Sequence, residues 1–146
     1  MFPSLALPAF VCKRTEIDGK PHVYCLLRRR YLVLTPEEWV RQHVIHLLLT
    51  RYAYPAALMR IEGGLRVHRL AKRTDLVVYD RDGAPFLLLE CKAPAVPLTR
   101  AVVEQALRYN LTLKAPYLAV SNGMDFFCGK VSETRVERMG DLPMLA

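Results

Sequence analysis

Asp75, Glu90 and Lys92 are the residues of this 146-residue chain whose types and spacing best suit them to chemistry. Asp82-Gly83, the strongest short turn signal in the chain, separates an apolar run beginning at Asp75 from a second one, Phe86-Leu87-Leu88-Leu89, ending at Glu90. A two-residue hairpin loop at Asp82-Gly83 places Asp75 directly across from Glu90. Side chains alternate along a strand, so Lys92 shares the face of Glu90 while Cys91 points away. Two carboxylates about 5 Å apart repel each other and need a cation between them. Lysine supplies one charge; a divalent ion does better, and Mg²⁺, with Mn²⁺ as a substitute, takes hard oxygen ligands and works on phosphate. Asp75 and Glu90 are then metal ligands, and Lys92 stabilises the attacking water or the charge developing on the phosphate. The competing reading is a surface hairpin with ordinary salt bridges. Against it, a Glu and a Lys at the end of an otherwise buried strand are costly unless they serve a site.

The elements that must hold these residues are legible around them. Phe86 to Leu89 is apolar on both faces, which requires a central strand with a helix on each side. The first helix starts at Thr35 as N-cap, with Pro36 at its first position and Glu38 three residues after the cap. Val40, Val44, Leu47 and Leu48 form its buried stripe, and Tyr54-Pro55 ends it. The second runs from Leu98 to Leu113 with Val102, Val103, Ala106, Leu107 and Leu111 inward, before Pro116. Strands are expected over Ile61–Leu70, Thr74–Tyr79, Pro85–Lys92, Tyr117–Val120 and, after the turn Ser121-Asn122-Gly123, near Phe126–Val131. Ahead of this α/β core, Phe10 to Leu34 reads as a two-stranded hairpin turning at Asp18-Gly19. Arg28, Arg29 and Arg30 interrupt it, as a solvated edge or as phosphate contacts. The expected organisation is one domain: a hairpin extension over 1–34, a core over 35–132 and a loosely held, Met-rich tail over 133–146.

Composition bounds the function. A chain 52% hydrophobic and 24% charged suits one globular domain and is too short for a motor. Twenty-one Lys and Arg against fourteen Asp and Glu, with a sequence pI near 9.5, give a positive field suited to a polyanion such as nucleic acid. The start from Met1 to Phe10 has no basic residue ahead of its apolar stretch and is broken by Pro3 and Pro8, unlike a signal peptide, so a cytoplasmic location is expected. The apolar run Val44–Leu49, interrupted by His46, is far shorter than the roughly 20 residues that span a bilayer. Cys12, Cys25, Cys91 and Cys128 show no C-x-x-C spacing and read as buried thiols; Cys12 and Cys25 fall opposite each other in the hairpin, as reduced thiols.

The sequence is similar to a known family at several ordered points. Asp75 followed by Glu90-Cys91-Lys92 resembles the D...ExK core of the PD-(D/E)XK nuclease superfamily. With Thr35-Pro36-Glu37-Glu38-Trp39-Val40-Arg41, Arg73-Thr74-Asp75, Ala93-Pro94, Gln105, Tyr109-Asn110 and Ser121-Asn122-Gly123, the set resembles the N-terminal nuclease domain of type I restriction enzyme R subunits, in a short stand-alone form, over about Tyr31 to Val131. The resemblance implies a restriction-endonuclease-like fold, a mixed sheet between helices in the order αβββαβ. It also implies Mg²⁺-dependent DNA cleavage by a metal-activated water, leaving 5′-phosphate and 3′-hydroxyl ends. An acid of the first helix would join Asp75 and Glu90 at the metal. Glu38 is the better match but doubles as a capping residue, Glu37 can substitute for it, and His43 is a remote candidate. Gln105 and Tyr109, four apart on one helix face, match a Gln-x-x-x-Tyr signature and would position Lys92 or a phosphate. Lys72, Arg73, Arg100 and Arg108 lie near the site in sequence and would track phosphates. R subunits continue into an ATP-driven motor; no G-x-x-x-x-G-K-[ST] occurs here, so neither translocation nor a nucleotide cofactor is implied. A small single-site domain needs a homodimer or a partner subunit to cut both strands. The competing hypothesis is a non-catalytic DNA-binding or scaffold subunit that keeps the nuclease fold.

Overall fold

The computed structural model describes residues 3–62, 75–133 and 135–145, with the side chains of Glu62 and Asp75 outside that description. An N-terminal sheet of β1 (Arg14–Ile17), β2 (Lys20–Cys25) and β3 (Arg30–Val33) precedes helix α1 (Pro36–Thr50). After a 3-10 turn at Ala56–Leu58 come β4 (Met59–Glu62), β5 (Asp75–Tyr79), β6 (Pro85–Cys91), α2 (Arg100–Leu113), β7 (Tyr117–Ser121), β8 (Phe126–Ser132) and β9 (Arg135–Arg138). The last six strands form one mixed sheet in chain order, antiparallel except for β6 and β7, which α2 connects in parallel. Residues 63–74, which include most of the first predicted core strand together with Lys72 and Arg73, lie outside the described residues.

β6 is central and buried, as its apolar run requires. Leu87 and Leu89 join Leu76 and Val78 against Val40, Val44, Ile45 and Leu48 of α1, while Leu88 joins Val77, Leu118 and Val120 against Ala106 of α2. Each of Leu87, Leu88 and Leu89 is fully buried, which contributes about 1.5–3 kcal/mol per side chain. On α2, Leu111 is 51% exposed, contrary to the expected inward stripe, and Asn110 is buried in the last turn instead. Its side chain accepts from the Ala115 N–H at 3.0 Å and donates to the Ala115 carbonyl at 2.9 Å, which closes the helix end as an apolar residue could not.

The N-terminal unit has three strands rather than two, because Arg28 and Arg29 turn the chain and Arg30 begins β3. Arg29 stands at φ 55°, the left-handed step that this turn demands. All four cysteines are free thiols, and the register of β1 against β2 would bring Cys12 to Cys25 just beyond the first bonded pair. Residues 135–145, part of the tail expected to be loosely held, are tied down. β9 pairs with β8, Leu142 is buried, the Tyr52 hydroxyl donates to Asp141 and the Tyr54 hydroxyl to the Pro143 carbonyl. Among the described residues no helix is long and apolar enough to cross a membrane.

At the opposite terminus, the segment before β1 straps the molecule. Trp39 Nε1 donates to the Pro3 carbonyl at 2.9 Å, the Ala6 N–H donates to the Gly123 carbonyl at 2.8 Å, and Phe10 stacks on His46. Gly123 has φ 87°, and a Cβ there would lie 2.7 Å from a Leu5 methyl. Gly123→Ala should therefore cost about 1–3 kcal/mol of stability. Urea unfolding checks this, and an unchanged midpoint would show that the strap and the turn yield freely.

Candidate metal and phosphate site

The loop between β5 and β6 sets which carboxylates face each other. Asp80 N–H bonds to the Ala84 carbonyl at 2.8 Å, which leaves Arg81, Asp82 and Gly83 as a three-residue loop rather than the expected two. Asp80 Oδ1 accepts from the N–H groups of Asp82 and Ala84, both at 2.9 Å, and Gly83 takes φ 86°. Tyr79 pairs with Pro85 but Val78 with Leu87, so Phe86 is an extra, bulged residue. The bulge offsets the longer loop: Val77 pairs with Leu88 and Leu76 with Leu89. One step further along that register, Asp75 of β5 comes opposite Glu90.

Glu90 is 3% exposed at the end of β6, and Lys92 follows half-buried, its N–H donating to the Ser121 carbonyl at 2.8 Å. Ser121-Asn122-Gly123 holds the segment after Lys92 in place. Asn122 Nδ2 donates to the Val96 carbonyl at 2.7 Å, while its Oδ1 accepts from the N–H groups of Met124 and Asp125. Asn122 is thus a buried clamp between the β7–β8 turn and the loop that leaves Lys92, a role that turn propensity alone did not disclose.

The first turn of α1 divides its two acids between different tasks. The Thr35 hydroxyl accepts from the Glu38 N–H at 3.0 Å, but the Glu38 carboxylate does not complete the expected capping box. It turns inward, accepting from Arg41 through Oε1 and from Gln42 Nε2 through Oε2 at 2.7 Å. Glu38, Arg41 and Gln42 are all buried. Sequence reasoning missed this set, although Arg41 and Gln42 at three and four residues from Glu38 are the helical neighbours of that acid. Glu37, the alternative acid, bonds Arg41 at 3.3 Å and lies within electrostatic reach of the site. Burial pushes its carboxyl above the ordinary glutamate range; Arg41 and Lys92 oppose the shift, and Glu38 and Glu90 add to it. His43 is packed between Phe10 and Trp39, with Nδ1 2.8 Å from the Trp39 carbonyl, and burial lowers its pKa.

On α2 the expected contacts are spread along the helix. Arg100 is exposed and bonds Glu104 at 3.1 Å, Gln105 and Arg108 are exposed, and Tyr109 is half-buried. Gln105 makes no hydrogen bond among the described residues. Among those residues no three His, Cys, Asp or Glu side chains gather as a metal site; the Asp75 side chain lies outside them. The carboxylates of Glu37 and Glu90 are nonetheless hard oxygen ligands; burial is the main cause of the raised Glu37 pKa, and the smaller part that Glu38 and Glu90 add is the kind a divalent cation relieves.

Removing the carboxylate beside a buried guanidinium is expensive, so Glu38→Ala should destabilise by about 3–5 kcal/mol, and Glu38→Ala with Arg41→Met should regain most of that in chemical denaturation. Glu37 adds a pH signature. Because its folded pKa is raised, its contribution to stability is full below the ordinary glutamate pKa and is lost as pH rises through the folded value. Glu37→Gln should flatten the stability profile in that window, as thermal melts over a pH series running upward from the ordinary glutamate pKa would record.

No curated protein matches the chain. Residues 36–143 match the family model described as Type I restriction enzyme R protein N terminus (HSDR_N). That span opens on the first residue of α1 and closes beyond β9, so it takes in both helices, the whole six-stranded sheet and the Asp75, Glu90 and Lys92 positions, and leaves out the N-terminal sheet, the strap and residues 144–146. On that match the chain belongs to the family of the Type I restriction enzyme R protein N terminus.

Proposed function

We propose that this domain is a Mg²⁺-dependent DNA endonuclease domain that hydrolyses phosphodiester bonds at the end of β6. The observation that carries the reading is the register of β5 on β6, whose pair Leu76 with Leu89, extended by one step, sets the Asp75 position against a buried Glu90, two residues before Lys92. Asp75 and Glu90 would hold the ion, with Glu37 rather than Glu38 as the acid of α1, because both Glu38 oxygens are taken by Arg41 and Gln42. When bound, a divalent cation would supply Lewis-acid polarisation of the phosphate and a more acidic water. Lys92 has three donors and no accepting lone pair while protonated, so its work is on the phosphate or the water. Asn122 keeps Lys92 at the site by fixing the chain that follows it. Arg100 and Arg108 on the exposed side of α2 would track backbone phosphates without reading bases. Lys72, Arg73 and Tyr109 would extend that track, and Gln105 would meet a phosphate.

A second reading, a DNA-docking or scaffold subunit of a restriction assembly with no turnover of its own, is favoured by the inward turn of Glu38, which takes one family acid away from the metal. Both readings place DNA on the domain and leave the strand-cutting partner, a second copy or another subunit, to be found.

One experiment separates them. Plasmid and single-stranded circles are incubated with the protein and Mg²⁺, Mn²⁺ or chelator. On the nuclease reading, cutting depends on the metal and is abolished in Asp75→Ala. Lys92→Ala should keep calorimetric metal binding but lose about 10²–10³ in single-turnover rate. Equal DNA binding by wild type and Asp75→Ala without cutting would establish the docking reading.

A further inference from the structure

Arg28, Arg29 and Arg30 are exposed in and beside the turn between β2 and β3, and no role in the site described above uses them. The Arg28 guanidinium reaches β4, donating to the Ile61 carbonyl at 3.4 Å. β4 is the first strand of the six-stranded order, so the Arg28 contact lies at an edge of the main sheet among the described residues. Two adjoining hollows of about 360 and 430 Å³ continue the row: Arg28 and Arg60 line the first, Arg60 and Arg81 the second, and Ala57 is common to both.

All five arginines are exposed, and among the described residues none forms an ion pair with a carboxylate. Among the described residues Asp80 is the acid that lines the second hollow, and its Oδ1 already accepts two backbone N–H groups; Asp82 is a further acid, in the same loop as Arg81. Arg28, Arg60 and Arg81 line adjoining hollows with little compensation and repel one another, Arg29 and Arg30 follow Arg28 in the same turn, and a polyanion is the ligand that reverses that cost. Guanidinium forks also match phosphate oxygens better than ammonium groups do.

We propose that this arginine row along the β4 edge is a nucleic-acid surface separate from the end of β6, holding the phosphodiester backbone without reading sequence. The proposal rests on the nucleic-acid reading given above. Its geometry leads to the candidate site: β4 runs from Met59, opposite Val78, to Glu62, opposite Asp75. A backbone seated at Arg81 and Arg60 and following that edge reaches the Asp75 end after four strand residues. That is about 10 Å, or roughly three nucleotides of one strand.

The test is fluorescence anisotropy on duplex and single-stranded oligonucleotides across a salt series, with chelator present so that binding alone is read. Arg60→Gln with Arg81→Gln removes two exposed charges, and thermal melts verify the fold. Arg29→Gly with Arg30→Gln is a second variant at the other end of the row, where glycine suits the positive φ of Arg29. Loss of two phosphate contacts should weaken duplex binding at least tenfold at low salt and reduce the slope of log affinity on log salt by about 1.8, or about 1.4 on a single strand. If both variants bind with the wild-type slope while Arg100→Gln weakens binding, the row is overturned and the proposed function stands. If the wild type binds neither nucleic acid, the row and the nucleic-acid reading fall together.

Discussion

β6 can be apolar on both faces only where two helices cover it, and the other parts of the domain follow from meeting that demand. α1 supplies one cover and α2 the other, and α2 can do so only by crossing from the end of β6 to the start of β7, which makes this one pair of strands parallel in an otherwise antiparallel sheet. The crossover begins at the end of β6 where the apolar run gives way to Glu90 and Lys92. Charged groups there sit between a dry strand and the loop that follows, and the packing of Leu87, Leu88 and Leu89 fixes where the strand presents them.

The carboxylate arrangement shows how far a sequence can be read and where reading stops. The pairing of β5 with β6 was legible from Asp82-Gly83, although two local features were not. Asp80 widens the loop to three residues by capturing two backbone N–H groups, and Phe86 bulges and restores the register. Each shifts the pairing by one and the shifts cancel, so the alignment of buried leucines outweighed the local turn preference. Both helices were legible from periodicity and caps, but the tertiary use of their polar residues was not. Asn110 buried as a helix closure and Glu38 turned toward Arg41 depend on neighbours that spacing alone does not name. The third N-terminal strand was hidden because the arginine run looked like an interruption when it was a turn.

The division between Glu37 and Glu38 is an electrostatic consequence of burying Arg41. A guanidinium that is 3% exposed requires a carboxylate close by, and the helical neighbour three residues earlier provides it. Glu38 is thereby committed to the interior, and Glu37, half-exposed, bonded to Arg41 and raised in pKa, is the acid of that turn within electrostatic reach of Glu90 and Lys92. The same turn thus holds one carboxylate for the fold and one that answers to its surroundings.

The tyrosines at the end of α1 carry a consequence for synthesis. Tyr52 and Tyr54 find their hydroxyl partners 89 residues later, at Asp141 and Pro143, and Leu142 fills the core between them. Contacts between segments so far apart in the chain cannot form until both have been made, and their high sequence separation makes them slow to find. The segment that follows α1 is thus fastened by a long-range step rather than by its chain neighbours.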